Sequence, residues 1–154
     1  MSKRGRTARE LRLEIPDIVF SEWYAWNEVK KIPNGNHQGL YIIAQFPSKP
    51  EGIAQPDTKE ILYIGETHGK SGNIHKRLNT FFKAAQKGQM IHKHSGGNRF
   101  NRVVGCDVTN IYAAGFAPIL ENEEFLNPFI FYAERKLIWE YVAKWGNMPR
   151  CNGR

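Results

Sequence analysis

At 154 residues, with 41% hydrophobic and 24% charged positions, the chain has the size and make-up of one globular domain that buries a core without disulfides or metal staples. Cys106 and Cys151 fit neither a zinc spacing nor a disulfide framework, and no run of about twenty apolar residues occurs, so a cytoplasmic protein with no membrane span or secretory signal is expected. A net charge of +7 favours a polyanionic partner, nucleic acid before membrane, because no amphipathic apolar face accompanies the charge.

Residues 1–16 read as a basic, flexible arm, in whose first twelve positions Lys3, Arg4, Arg6, Arg9 and Arg12 are opposed only by Glu10. Such an arm either tracks a nucleic-acid backbone, with Arg4, Arg6 and Arg9 as contacts, or is a solvated tail. Residues 17–154 read as a single domain. Its first stretch, 17–31, is assigned to a helical extension on the spacing of Ile18, Glu22, Trp26 and Val29, stopped by Pro33-Asn34-Gly35-Asn36. Trp23, Tyr24 and Trp26 are assigned to packing rather than to base stacking.

Two short apolar runs follow, 39–46 and 60–65, rich in β-branched and aromatic residues and bounded by turn formers, and both predict strands. Alternation puts Tyr41, Ile43 and Gln45 on one face of the first strand, and sets Ile61 and Tyr63 against Leu62 and Ile64 on the second. Paired, the strands can bring Tyr41 and Tyr63 together. After a polar glycine-containing loop with Lys70, Asn73 is placed to cap a helix over 74–86, with Gly88 past its end. Ile74, Leu78, Phe81, Phe82 and Ala85 form its apolar stripe, Arg77 lies at the border, and Lys76 is on the surface.

Residues 90–101 read as a loop carrying His92, His94, Arg99 and, just beyond, Arg102. A phosphate-facing loop suits this composition better than a His-x-His metal site, which lacks cysteine or carboxylate partners at set spacing. A third strand is expected over 107–117, ended by Pro118. Asn127-Pro128 then opens a last helix reaching Trp145, closed by Gly146. The helical count puts Glu134 in the middle of the stripe Ile130, Leu137, Ile138, Tyr141 and Trp145. A carboxylate aimed at a core costs several kcal/mol unless it is paired or binds a cation. A salt bridge to Arg77 or a lysine and a metal site both satisfy that requirement.

These residues, in this order, resemble the GIY-YIG nuclease family over about three quarters of the chain. Gly39-Leu40-Tyr41 stands at the first motif, with leucine for the usual isoleucine, and Tyr63-Ile64-Gly65 matches the second letter for letter. Arg77, Glu134 and Asn152 fall at the family's arginine, metal-binding glutamate and late asparagine. The resemblance implies an α+β fold, a small three-stranded antiparallel sheet flanked by helices, here preceded by the basic arm and helix. It also implies a Mg²⁺- or Mn²⁺-dependent DNA endonuclease, restriction-like or stand-alone, monomeric or homodimeric. Tyr41 is then the group that orients or deprotonates the attacking water, Tyr63 hydrogen-bonds the water or phosphate, Arg77 clamps a phosphate oxygen, Glu134 holds the metal, and Asn152 fastens the tail. Lys70, Lys76, Arg99 and Arg102 are the expected backbone contacts on the folded body. Phe81 occupies the position where some members carry a histidine, which leaves His75, His92 and His94 without an assigned role. A catalytically silent nucleic-acid-binding module and an interaction subunit docking an acidic protein are the rival readings.

Overall fold

A computed structural model describes residues 15–88 and 94–153. The arm residues Arg4, Arg6 and Arg9, and His92, lie outside the described residues. The chain is α+β. Strands β1 (Tyr24–Ala25), β2 (Gly39–Gln45), β3 (Ile61–Thr67) and β4 (Ile111–Phe116) form one antiparallel sheet in the order β1-β4-β2-β3. Helices α1 (Ile74–Lys87) and α2 (Ser95–Val103) cover one face, and α3 (Leu126–Trp145) covers the other. Among the described residues no helix is long and apolar enough to cross a membrane.

The helices end where local chemistry ends them. The Asn73 side chain accepts from the Lys76 N–H at the start of α1, and Gly88 (φ +86°) closes it. Gly146 (φ +82°) stops α3 in the left-handed region that glycine enters without penalty. The apolar stripe of α1 is buried as its periodicity predicts.

The structure corrects the sequence reading in four places. The sheet has four strands, not three. The added one is β1, from the stretch expected to be helical, and instead of helix residues 17–31 hold irregular chain, β1 and a 3₁₀ turn at Val29–Lys31. Long-range pairing outcompetes helical periodicity there: the Ser21 N–H donates to the Gly115 carbonyl (3.0 Å), the Trp26 N–H to that of Ile111 (3.0 Å), and Phe20 and Trp23 are buried in the α3-side core. Part of the expected 90–101 loop is α2, capped by the ring of His94 in place of the usual Ser or Asp. Finally, the register of β3 shifts by a bulge opposite Ile43 and Ala44, so that Leu62 joins Tyr63 on the α1–α2 side while Ile61 and Ile64 face α3.

Candidate active site

Tyr41 pairs with Gly65 across β2 and β3, and Ile43 pairs with Tyr63, so the two phenols are diagonal neighbours on the α1–α2 face with ring centroids 6.0 Å apart. Gly65 is required between them: a β-carbon there would stand 2.6 Å from each ring. Gly96 of α2 is under the same constraint, since its β-carbon would meet the Tyr63 ring at 2.5 Å. These two glycines let a strand and a helix close on the tyrosine pair.

Tyr41 is completely buried, and its hydroxyl lies 2.8 Å from Nε2 of His94, itself 1% exposed. The direction of that bond follows from the capping contact. The Gly97 N–H can only donate, so Nδ1 of His94 accepts (3.2 Å), and in the neutral ring the proton sits on Nε2. Tyr41 therefore accepts from His94. Burial, with the Arg77 charge beside it, lowers the His94 pKa to about 3, which keeps the ring neutral. The Tyr41 phenol is pushed well above its ordinary value, first by burial and then by Tyr63, with Arg77 only partly offsetting both. Sealed from solvent, with the Arg77 charge only partly offsetting burial, Tyr41 is less well placed than Tyr63 to take a proton from water.

Tyr63 is placed differently. It is half-buried and lines an open cleft of about 690 Å³ along the outer edge of β3. Ser95, Arg99 and Arg102 of α2 form one wall, Glu134, Arg135 and Ile138 of α3 the other, and Asn152 lies beside Ile64 at the strand edge. Burial raises the Tyr63 pKa, the Arg77 charge opposes that, and the Glu134 charge adds to it, while Tyr41 and Ser95 act as hydrogen-bond partners that lower it. Tyr63 is thus the residue where the influences of Arg77 and Glu134 meet.

Glu134 is at the margin of the buried stripe of α3, not its middle. Ala133 takes the fully buried position, while the Glu134 side chain is 21% exposed toward the cleft. Its ion-pair partner is the adjacent Arg135 (3.7 Å), whose own side chain is 84% exposed, rather than Arg77 or a lysine. Burial, then the nearby Glu66 carboxylate, raises the Glu134 pKa, with Arg135 and His68 opposing. Glu66 is itself held by Nδ1 of His68 (2.8 Å). No three His, Cys, Asp or Glu side chains converge as a metal cage among the described residues. A half-desolvated carboxylate at the edge of a roomy cleft nevertheless suits a cation that keeps most of its waters, as Mg²⁺ does.

Asn152 is a structural clamp. Its side chain accepts from the Ile64 N–H and donates to the Ile64 carbonyl, both at 2.8 Å, and the Cys151 N–H donates to the Leu62 carbonyl (2.8 Å). The C-terminal turn thereby pairs with the otherwise open edge of β3. Nε of Arg99 donates to the Arg150 carbonyl (2.8 Å), tying that turn to α2. Arg99 and Arg102 line the cleft, whereas Lys70 and Lys76 are exposed elsewhere. His75 lies outside the site, bonding the Ile32 carbonyl through Nε2 (3.0 Å). Sequence reasoning missed Ser95 and Arg135. Ser95 stands in a Ser-Gly-Gly run that reads as loop, and Arg135 is an ordinary surface residue until α3 is docked.

Compared with models of protein families, with curated proteins and with solved structures, the chain matches none of them.

Proposed function

We propose that this chain is a metal-dependent DNA endonuclease of the GIY-YIG type, working at the cleft along β3. The observation that carries this reading is the cleft itself, where Tyr63 and Asn152 at the β3 edge, Glu134 of α3 and Arg99 and Arg102 of α2, residues far apart in sequence, line one open volume. Phosphodiester hydrolysis breaks one P–O ester bond, adds hydroxide from water to phosphorus, and returns a proton to the leaving oxygen. The pentavalent transition state needs positive charge on the phosphoryl oxygens and an oriented water.

Arg77, whose charge acts on Tyr41, Tyr63 and His94 alike, supplies a cation with the fork geometry that suits phosphate. Tyr63, open to the cleft, orients the water or hydrogen-bonds the phosphate. Tyr41 and His94 act one layer below, as positioning residues that fix Tyr63 from behind. Glu134 would hold Mg²⁺ or Mn²⁺, which when bound neutralises phosphate charge and acidifies water. Arg99, Arg102 and Arg135 give the cleft a basic rim that suits a polyanionic strand.

Incubation with supercoiled plasmid tests the reading. Nicking is expected with Mg²⁺ and none with chelator, and Glu134→Gln should lose about 10²-fold or more of the rate while still binding DNA. Plasmid that is bound but never cut would leave the silent binding module instead. Near-wild-type nicking by Glu134→Gln would remove that carboxylate from the chemistry.

A further inference from the structure

The outer face of α3 carries large side chains that the fold does not use. Phe131, Arg135 and Trp139 are spaced four residues apart and so lie along one line of the helix. Phe131 is 43% exposed and Trp139 70%, with Tyr132 beside them at 47%. Phe131 is braced edge-on by His68, with ring centroids 4.6 Å apart. This ridge borders the cleft directly, because Arg135 and the next residue inward, Ile138, form its α3 wall. Exposed aromatic surface on this scale is seldom left without a partner.

The charge around the ridge selects the partner. Arg135 lies between Phe131 and Trp139 along the helix, and Arg99 and Arg102 stand across the cleft. On the far side of the helix Glu140 is tied to Lys136. A row of aromatic faces interrupted by a guanidinium is what successive bases on a phosphate backbone stack against. Paired bases cannot reach it, since a duplex presents only their edges. From Phe131 to Trp139 the helix rises about 12 Å, room for roughly two or three bases.

We propose that Phe131, Arg135 and Trp139 form a stacking platform for unpaired bases, so that the preferred substrate is DNA with a single-stranded segment beside the bond in the cleft. This rests on the nuclease reading for its cleavage step, but not for its binding step. Two DNAs of the same paired sequence, one blunt and one with a short oligothymidine overhang, separate the two. Their affinities are measured by fluorescence anisotropy in chelator for the wild type, Trp139→Ala and Trp139→Phe. The wild type should prefer the overhang by roughly tenfold or more, Trp139→Ala should remove most of that preference, and Trp139→Phe should retain it. No preference in the wild type, or equal weakening of both DNAs by Trp139→Ala, would overturn the platform. So would sedimentation showing a wild-type dimer that Trp139→Ala splits, because the ridge would then be a self-association surface. An overhang preference in a protein that, with Mg²⁺, cuts neither plasmid nor the overhang DNA would sink the nuclease reading while leaving the platform intact.

Discussion

The two faces of the sheet are equally well buried and chemically unlike. Against α3, Leu40, Ile42, Ala44, Ile61 and Ile64 meet Phe129, Ile130, Ala133 and Leu137, and the Tyr141 hydroxyl, which donates to the Lys59 carbonyl (2.8 Å), supplies a polar contact at the margin. Against α1 and α2, Ile43, Leu78, Phe81 and Phe100 make a similar apolar floor, but Tyr41 and His94 are buried within it and Tyr63 opens from it into the cleft. Burying hydroxyls and an imidazole adds desolvation cost without adding hydrophobic gain. The first face works for stability, with Glu134 at its margin turned toward the cleft. The second accepts that cost, partly offset by the His94–Tyr41 bond, in order to place one phenol at a charged cleft.

The largest expected effect separates the faces by stability. Leu137→Ala should destabilise the fold by about 2–5 kcal/mol, with little change in cleavage per folded molecule. Denaturant melts beside nicking assays check this, and a specific loss of nicking would make the α3 face part of the chemistry.

The second comparison lies within the polar face. Tyr63→Phe should cut cleavage by about 10²-fold and leave stability nearly unchanged, because its hydroxyl is at the cleft. Tyr41→Phe should do the reverse, costing about 1–3 kcal/mol because it strands the buried Nε2–H of His94 without an acceptor. The opposite pattern would restore Tyr41 as the proton-handling group.

The third expected effect is a pH slope. The His94 pKa is depressed to about 3 in the folded protein, so the unfolded chain binds more protons between there and about pH 6.5. Stability contributed by the neutral ring is present above pH 6.5 and is lost as pH falls through that window, by up to ~1.4 kcal/mol per pH unit. His94→Asn keeps a capping acceptor for the Gly97 N–H and cannot titrate. Its thermal midpoint should fall less steeply than that of the wild type between pH 6.5 and 4. Parallel slopes would mean that other groups govern the acid transition.

Much of this architecture follows from local pattern. The tripeptides at 39–41 and 63–65 sit on strands, Asn73 and Gly88 bound α1, and Gly146 ends α3, because caps and apolar periodicity act within a few residues. Arg77 and Glu134 stood out for the same reason, as charges at or in an apolar stripe. What local pattern could not supply is whatever depends on distant backbone. Ser21, Tyr24, Ala25 and Trp26 pair with β4 or its flanks against their own helical spacing, and the bulge at Ile43 and Ala44 decides which side of the sheet Leu62 takes. His94 became a cap and a hydrogen-bond donor to Tyr41 only once α2 had packed on α1. Which phenol reaches the cleft was likewise open, since alternation places Tyr41 and Tyr63 on one face and says nothing of depth. The order of strands decided it: β2 is interior, so Tyr41 is sealed, while β3 is an edge, and its tyrosine opens to solvent beside Glu134.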